Sequence, residues 1–502
     1  MTIQRFHDEV HDQYSYLVHD AGEAIAIDPS RKVKSYFDYL NERDLRLVAI
    51  VMTHLPGAFA SGWAELRRTT GAEMIGAAKY HFHGEGKYRE AGRATMIPFG
   101  DGNHLQTQRT PGYTADSISV LAIDSDRKVH GIFTGATLLN MGSSYPLPRP
   151  DDKNPLHTQK TYAKEEYESI DSVIRTFDQK ATVYSGFGED AHFSRMGDNT
   201  HGHFNLTEAQ DESPIFDENK IKDSDQFANW LLKNAPFVPA YVTGCLEGNQ
   251  EGYADWATAM APFREWLPEE DRPTTRVIEE KIVEDRGNVV ILEDSEAEIP
   301  APAAAAANPR VPIGGENITI IDTRDAADFK NGHAPGALNI QADGPFALWL
   351  GSIVRPHESF AILIDNDDHA AGVAEGIAKI GYDRQLVSAE RWNEEPDHLA
   401  EQSLDMDDFK KHHIGNYTIV DVRPPDAAAE DTRFYGAINV PVWEMRDRWK
   451  EIPVDRPIVV HCGGGYQSAI GASILRKQLG MTVPVYDLGE KIKDFKAKRD
   501  LD

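Results

Sequence analysis

The sequence predicts an α/β protein of about three domains, and three observations support this fold class. The chain has 502 residues, enough for several separate cores at ~100–200 residues per domain. Short β-branched runs alternate with helix-length stretches along the chain. In the second half one such pattern occurs twice, which indicates an internal duplication. We therefore expect a large N-terminal domain of two packed sheets with outer helices, followed by two small parallel α/β domains.

The composition excludes several functional classes. Acidic residues outnumber basic residues by 81 to 52, which gives a formal net charge of -29. Nucleic acids and anionic membranes require a basic face, so we expect neither as a partner. The chain contains no run of the ~18 apolar residues that a membrane helix needs. Its first residues are polar and lack the apolar core of a signal peptide, so we expect a cytoplasmic protein.

Two segments indicate domain boundaries. The segment from Glu293 to Pro312 is an acidic run followed by Pro and Ala, a composition typical of a semi-extended tether. A weaker boundary lies between Arg391 and Asp408, in a charged stretch. The predicted domains are residues 1–290, 311–395 and 405–502.

The first domain shows strand and helix signals in alternation. Early strands are predicted at Ala24 to Pro29 and Leu47 to His54, and a helix is predicted at Ser61 to Gly71. Further strands are expected at Ser117 to Asp124 and His130 to Gly135. Frequent Gly and Pro residues separate these runs, as expected for a mixed α/β domain of two sheets.

The second and third domains share a pattern of strand, turn, strand and helix. Each copy begins with a β-branched strand that ends in Asp-x-Arg, continues to a Gly-Ala-x-Asn turn and then enters a second apolar strand. The matching positions are Asp322 and Arg324 with Asp421 and Arg423, Gly336 to Asn339 with Gly436 to Asn439, and Phe360 to Asp365 with Pro457 to Cys462. A helix-length stretch follows each second strand, so each copy predicts a small parallel sheet.

The chain has two cysteines, too few for a disulfide framework or a thiolate zinc cage. Cys462 follows a predicted buried strand and precedes Gly463 to Gly465 and a helix. Successive glycines can direct their N–H groups at one point, and the helix adds its positive N-terminal end. A thiolate in this cradle can attack a sulfane sulfur and hold the resulting persulfide. Cys245 has no such cradle, so we expect a packed structural thiol there.

The Asp-x-Arg strand, the Gly-Ala-x-Asn turn and the loop HCGGGYQSA together resemble the rhodanese family of sulfurtransferases. The resemblance covers residues 311–395 and 405–502, and it implies that Cys462 carries the persulfide. The implied cradle consists of Gly463, Gly464, Gly465, Tyr466, Gln467 and Ser468. We expect Asp421 and Arg423 to brace the loop without reacting.

Two departures from the rhodanese pattern affect the expected chemistry. Rhodanese loops commonly carry an Arg where this chain has Gln467, and such a cation would help to bind the anion thiosulfate. Thiosulfate is therefore less strongly indicated as the donor, and a small thiol persulfide becomes a candidate. In the second domain, Asp365 stands at the expected position of the loop cysteine. A carboxylate cannot accept a sulfane sulfur, so we expect that domain to be inactive, to pack against its neighbours and to shape the access route. A repurposed acidic binding site is the less favoured alternative.

The N-terminal segments FHDEVHDQYSYLV, AIAIDPSR, LVAIVMTHLPGAFASG, TPGYTADSISV and IFTGATLL resemble the metallo-β-lactamase fold, in particular its persulfide dioxygenase branch. The resemblance covers residues 1–290 and implies an αββα sandwich. The family's motif His-x-His-x-Asp-His begins at His54, the one ligand that remains. The positions without a ligand are Pro56, Ala58, Phe59, Tyr113, Ala136 and Phe187.

We therefore expect a metal-free first domain, because one imidazole cannot hold the iron that such dioxygenases bind through two His and one Asp. Other histidines leave open a rebuilt site, such as His54 with His81 or His83. The remaining candidates are His192, His201 and His203, and the adjacent pair His412 and His413, which would point apart in a strand. Solvated or hydrogen-bonded histidine is the simpler interpretation of each.

The sequence favours a sulfane-sulfur transferase that works through a Cys462 persulfide, with small sulfur donors and thiol acceptors as partners and no cofactor. Two alternatives stay open: an iron-dependent persulfide dioxygenase with rearranged ligands, and a non-enzymatic scaffold or persulfide-binding protein. The lactamase-like resemblance also implies a homodimer.

Overall fold

The computed structural model describes residues 1–77, 82–83, 88–147, 158–195, 204–217, 219–267, 318–392, 398–480 and 482–495. The N-terminal domain begins with a six-stranded sheet whose strands lie side by side in chain order. These strands are β1 (Thr2–Asp8), β2 (Gln13–Asp20), β3 (Glu23–Ile27), β4 (Arg46–Val51), β5 (Glu73–Ala77) and β6 (Tyr88–Ala91). The first three strands pair antiparallel, and β3 to β6 pair parallel.

A second six-stranded sheet faces the first. In chain order its strands are β7 (Met96–Phe99), β8 (Asn103–Arg109), β9 (Ile118–Ile123), β10 (Val129–Gly135), β12 (Thr182–Ser185) and β14 (Phe204–Asn205). Across the sheet the order is β14, β12, β10, β9, β8 and β7. A small antiparallel pair, β11 (Ser143–Ser144) with β13 (Ser194–Arg195), lies beside it.

Alternating burial along the strands separates the layers of this domain. In β4, Ala49 and Val51 point into the core between the two sheets, whereas Ile50 between them points to the outer core under the helices. This alternation follows from the two-residue period of a strand that is buried on both faces. The predicted αββα sandwich is therefore confirmed.

Helices cover both outer faces of the sandwich. The helices of this domain are α1 (Lys34–Glu42), α2 (Trp63–Thr70), α3 (Gln159–Ser172), α4 (Leu206–Glu212), α5 (Ser224–Leu232), α6 (Tyr241–Glu251) and α7 (Trp256–Met260). Apolar residues of α1, α2 and α6 pack outside the first sheet, and those of α3, α4 and α5 pack outside the second.

The second domain is a four-stranded parallel sheet with helices around it. Its elements are β15 (Thr319–Asp322), α8 (Ala326–Asn331), β16 (Leu338–Asn339), α9 (Phe346–Ile353), β17 (Phe360–Ile364), α10 (Asp367–Lys379) and β18 (Leu386–Arg391). The strand order is β16, β15, β17 and β18, and every pair is parallel.

The third domain repeats this architecture. Its elements are α11 (Met406–Asn416), β19 (Thr418–Asp421), α12 (Pro425–Glu430), β20 (Ile438–Asn439), α13 (Met445–Arg448), β21 (Ile458–His461), α14 (Tyr466–Leu479) and β22 (Val485–Asp487). The strand order β20, β19, β21 and β22 matches that of the second domain, again with parallel pairs. The predicted pair of parallel α/β domains is confirmed.

The strand registers correct one predicted equivalence between the two copies. Asp421 lies opposite His461, so Cys462 is the next residue, and Asp322 lies opposite Leu363, so the equivalent position is Ile364. Placing Asp365 at the position of Cys462 was therefore wrong by one residue. Two apolar runs of equal length can be aligned with a one-residue slip, and only the pairing fixes the register. The second domain still has no thiol at this position.

The adjacent pair His412 and His413 lies in a helix and not in a strand. Both residues are in α11, where Asp405 caps the helix by accepting the N–H groups of Asp407 and Asp408. His412 accordingly pairs with Asp408 one turn earlier, at 2.8 Å, and is exposed.

The three domains pack closely against one another. Between the first and second domains, the buried Arg31 lies 3.3 Å from Asp383, and the Ala60 N–H donates to the Lys379 carbonyl at 2.8 Å. Phe237 of the first domain stacks on Trp443 of the third, with ring centroids 4.1 Å apart. The tether predicted at 293–312 lies outside the described residues. Among the described residues, no helix is long and apolar enough to cross a membrane.

Candidate functional site

The structure places Cys462 at the carboxyl end of β21, followed by the glycine loop and then α14. The thiol is buried, and its Sγ accepts the N–H of Gly465 at 3.0 Å. Gly465 has a φ of +108°, which turns its amide toward the sulfur and favours glycine. A side chain at Gly465 would also come within 3.2 Å of the Gly489 and Glu490 backbone.

One side of the loop is open to solvent. Gly463 and Gly464 are exposed, and a Cβ atom on either residue would have no neighbour within 4 Å. Ser468 closes the other side, because its hydroxyl is buried and donates to the Gly465 carbonyl at 3.0 Å. A small donor can therefore approach Cys462 past the two exposed glycines.

Asp421 and Arg423 form a buried support beneath this loop. The Arg423 Nε donates to Asp421 at 2.9 Å, and its Nη2 donates to the Asp431 carbonyl at 2.8 Å. Val422 between them donates its N–H to the carbonyl of His461, next to the cysteine. The Asp421–Arg423 segment thus holds the carboxyl end of β21 in place.

The second domain contains the same support without a thiol. Arg324 donates from Nε to Asp322 at 3.0 Å and from Nη2 to the Gly332 carbonyl at 2.6 Å. Because these contacts recur where no cysteine exists, the Asp-x-Arg motif serves the fold of each copy.

His461 lies immediately before the cysteine and is fully buried. Burial lowers its pKa, an effect that the carboxylate of Asp421, 3.8 Å from Nε2, partly opposes. The imidazole is therefore neutral at pH 7. A neutral His461 cannot supply the cation that the loop lacks at Gln467, which lies partly exposed in the first turn of α14.

The loop also contacts the second domain. Tyr466 follows Gly465, and its hydroxyl donates to the Gln341 carbonyl at 2.6 Å. The ring of Tyr466 leaves so little room at Gly344 that a Cβ there would lie 3.0 Å from it. The candidate site is thus built on the third domain and bordered by the second.

The positions where the lactamase-like resemblance implies metal ligands form a packed hydrophobic core in the first domain. Tyr113 is fully buried with its ring 5.1 Å from that of His54 and 6.4 Å from that of Phe187. Phe59 lies 6.1 Å from Phe187, and Ala136 belongs to the same cluster. Burial raises the pKa of Tyr113 far above its usual range, so its oxygen stays protonated and is a poor metal ligand. These side chains do not fit a metal ion.

His54 is held by a buried polar chain. Its Nδ1 lies 2.9 Å from the Thr53 hydroxyl, which donates to Asp28 at 2.6 Å. The Thr53 N–H donates to the same carboxyl group at 2.7 Å. Burial raises the pKa of Asp28 to about 7, against the opposing effect of these two hydrogen bonds.

The other candidate histidines do not form a metal site in the part of the chain that the structure describes. His83 pairs with Glu251 at 2.8 Å, and His192 bonds the Phe237 carbonyl at 2.9 Å. Within the described ranges, no group of three or more His, Cys, Asp or Glu residues is arranged to hold a metal. His81, His201 and His203 lie outside the described residues.

Cys245 is a packed thiol. It is fully buried in α6, and its Sγ donates to the Ile380 carbonyl of the second domain at 3.2 Å. Burial raises its pKa to about 12, so it remains a thiol at neutral pH.

Comparison with known proteins supports the predicted fold class and the rhodanese resemblance. Residues 310–390 and 405–498 match the rhodanese-like domain. The metallo-β-lactamase from Staphylococcus aureus subsp. aureus COL superposes with a TM-score of 0.58 at 20% identity, covering 78% of this chain and 99% of that chain. At this identity the match shows the fold alone, and it confirms the lactamase fold expected from the sequence motifs.

Two curated relatives are hydroxyacylglutathione hydrolases. The protein from Cereibacter sphaeroides is 34% identical over 135 residues, which is 26% of this chain and 50% of that protein. The protein from Albidiferax ferrireducens is 30% identical over 131 residues, covering 26% of this chain and 49% of that protein. The chain thus spans about half the length of the curated relatives it matches.

Proposed function

We propose that this protein is a sulfane-sulfur transferase that carries sulfur as a persulfide on Cys462. The observation that carries the proposal is the Gly465 N–H directed at Cys462 Sγ at 3.0 Å, in a loop open at Gly463 and Gly464. An amide donor near the sulfur stabilises an anionic thiolate and, after transfer, an anionic persulfide. The match of this region to the rhodanese-like domain supports the same chemistry.

The reaction proceeds in two displacements. The Cys462 thiolate attacks the sulfane sulfur of a donor, so a bond forms to Sγ and the donor's sulfur–sulfur bond breaks. The electron pair leaves with the donor remainder, which is sulfite from thiosulfate or a thiolate from a thiol persulfide. An acceptor thiolate then attacks the outer sulfur, becomes a persulfide and releases Cys462 as the thiolate.

The acceptor must come from outside the chain. The sequence contains one other cysteine, Cys245, which is fully buried and protonated at neutral pH. It cannot attack a Cys462 persulfide, so each chain stores one sulfur atom until a small thiol removes it.

The first domain contributes its fold to this function and no metal chemistry. The positions that hold metal in related folds carry Tyr113, Phe59 and Ala136, which pack as a core. The proposed reaction uses no metal, and this domain has a structural role beside the second domain.

Turnover with a thiol persulfide and with thiosulfate tests the proposal. Cys462→Ser should abolish transfer because serine cannot form a persulfide, whereas Cys245→Ser should retain most of it. Equal activity of wild type and Cys462→Ser would overturn the proposal.

A further inference from the structure

The loop that holds Cys462 is supported by contacts from the second domain as well as its own. Lys330, in the last turn of α8, extends its ammonium group to within 2.6 Å of the Asp487 carboxylate in the third domain. Asp487 is almost completely buried at the end of β22, and Lys330 is about one-third exposed. A buried carboxylate of this kind requires a partner, so the ion pair fixes the position of Asp487.

Asp487 in turn holds the chain that lies behind the glycine loop. Its Oδ1 accepts the N–H of Gly489 at 2.9 Å and so shapes the turn from Asp487 to Glu490. The backbone of Gly489 and Glu490 then packs so closely on Gly465 that a Cβ there would lie 3.2 Å from it. Gly465 is the residue whose N–H donates to Cys462 Sγ. A continuous series of contacts thus joins Lys330 to the sulfur.

A second contact from the second domain holds Gly465 through the next residue in the chain, Tyr466. Tyr466 directly follows Gly465, and its hydroxyl donates to the Gln341 carbonyl of the second domain at 2.6 Å. Gln341 is fixed as well, because its side-chain oxygen accepts the Ala326 N–H at the start of α8. The second domain therefore holds Gly465 from two directions.

We infer that the thiol-free second domain positions the Gly465 amide for Cys462, with Lys330 and Tyr466 as positioning residues. This inference rests on the proposed role of Cys462. Without the two contacts the glycine at φ +108° can relax, and its N–H then spends less time directed at the sulfur. The second domain thereby affects the reactivity of the Cys462 sulfur without touching the substrate.

The test measures the rate at which iodoacetamide alkylates Cys462 in the full chain as a function of pH, by peptide-resolved mass spectrometry. Lys330→Met and Tyr466→Phe should each lower the rate of Cys462 alkylation across this pH profile several-fold, because a weakened amide contact stabilises the reacting sulfur anion less. Lys330→Arg should restore the wild-type profile. Lys220→Met, which removes an exposed lysine of the first domain that pairs with Asp217, should leave the profile unchanged.

Thermal unfolding of each variant separates positioning from simple stability. A lower melting temperature with an unchanged alkylation profile in Lys330→Met and Tyr466→Phe would overturn the inference. If Lys330→Met does not fold, Tyr466→Phe decides alone, since it removes one hydroxyl group. A lowered profile in a protein that transfers no sulfur would sustain this inference and refute the proposed function, so the two failures are distinguishable.

Discussion

At the scale of single residues, we expect the neutral side chain of Gln467 to influence which donors the loop accepts. Gln467→Arg would place a guanidinium in the first turn of α14, beside the Gly465 amide that bonds Cys462. Charge-assisted contacts to an anion are about twice as strong as neutral ones. We expect the variant to lower the KM for thiosulfate several-fold and to change the KM for a singly charged thiol persulfide less. Equal changes for both donors would show that residue 467 does not distinguish donor charge.

A second residue-scale prediction concerns the buried Asp28. Its pKa is about 7 in the folded protein against 3.8 for the ordinary group, because burial disfavours the charged form. Between these two values the native state holds a proton that the unfolded chain has lost. Asp28 therefore makes the free energy of unfolding fall as pH rises through this window, at up to about 1.4 kcal/mol per pH unit.

Urea unfolding at pH values across this window should show that contribution as a difference from Asp28→Asn. The variant should lose stability less steeply than wild type as pH rises from about 4 to about 7. Asp455→Asn, at an exposed position, should follow the wild-type curve. A parallel pair of curves for wild type and Asp28→Asn would contradict the assignment of a buried, protonated carboxyl group.

At the scale of elements, the strand–loop–helix unit around Cys462 depends on one backbone conformation. Gly465→Ala combines a φ of +108° with a Cβ placed 3.2 Å from the Gly489 backbone, so the loop must move. We expect sulfur transfer to fall by roughly tenfold or more as the amide leaves the sulfur, at a cost of about 1–3 kcal/mol in stability. Gly372→Ala in α10 meets no atom within 4 Å and should leave transfer unchanged.

The sequence predicted the elements of the site because each one has a local signal. The apolar run of β21, the three glycines and the apolar face of α14 all follow one another in the chain. No local signal showed that Ile364, one residue earlier than predicted, is the position equivalent to Cys462. This equivalence depends on the register between paired strands. The start of α11 does have a local signal in the sequence, because Asp405, with two acidic residues in the first turn after it, is a typical N-cap.

Contacts between domains could not be predicted from local patterns. Lys330 and Gln341 precede Cys462 by more than a hundred residues. They contact Asp487 and Tyr466 only because the two repeated domains pack together. The same applies to the buried pair of Asp8 with Lys379, 3.3 Å apart between the first and second domains. Positioning roles of this kind become visible only in the three-dimensional arrangement.

At the scale of the whole molecule, we expect a protein that needs no metal. The side chains of Tyr113, Phe59 and Ala136, at positions where the lactamase-like resemblance implies metal ligands, belong to one buried apolar cluster. Elemental analysis of untagged protein should find far less than one iron or zinc per chain, and oxygen uptake with a thiol persulfide should be absent. A chelator should not lower the melting temperature, because a metal stabilises a protein only when it binds the native state.

Near-stoichiometric iron together with persulfide-dependent oxygen uptake would contradict that prediction. It would direct attention to His81, His201 and His203, which lie outside the described residues, and to His83 and His192. The rearranged-ligand alternative would then become the better interpretation.

Peptide mass spectrometry of the full chain after brief exposure to a thiol persulfide shows whether Cys462 carries the sulfur. We expect one added sulfur atom on the peptide that contains Cys462, none on the peptide that contains Cys245, and loss of the added sulfur when a small thiol follows. Added sulfur confined to the Cys245 peptide, or an unmodified Cys462 under conditions that support turnover, would contradict this expectation.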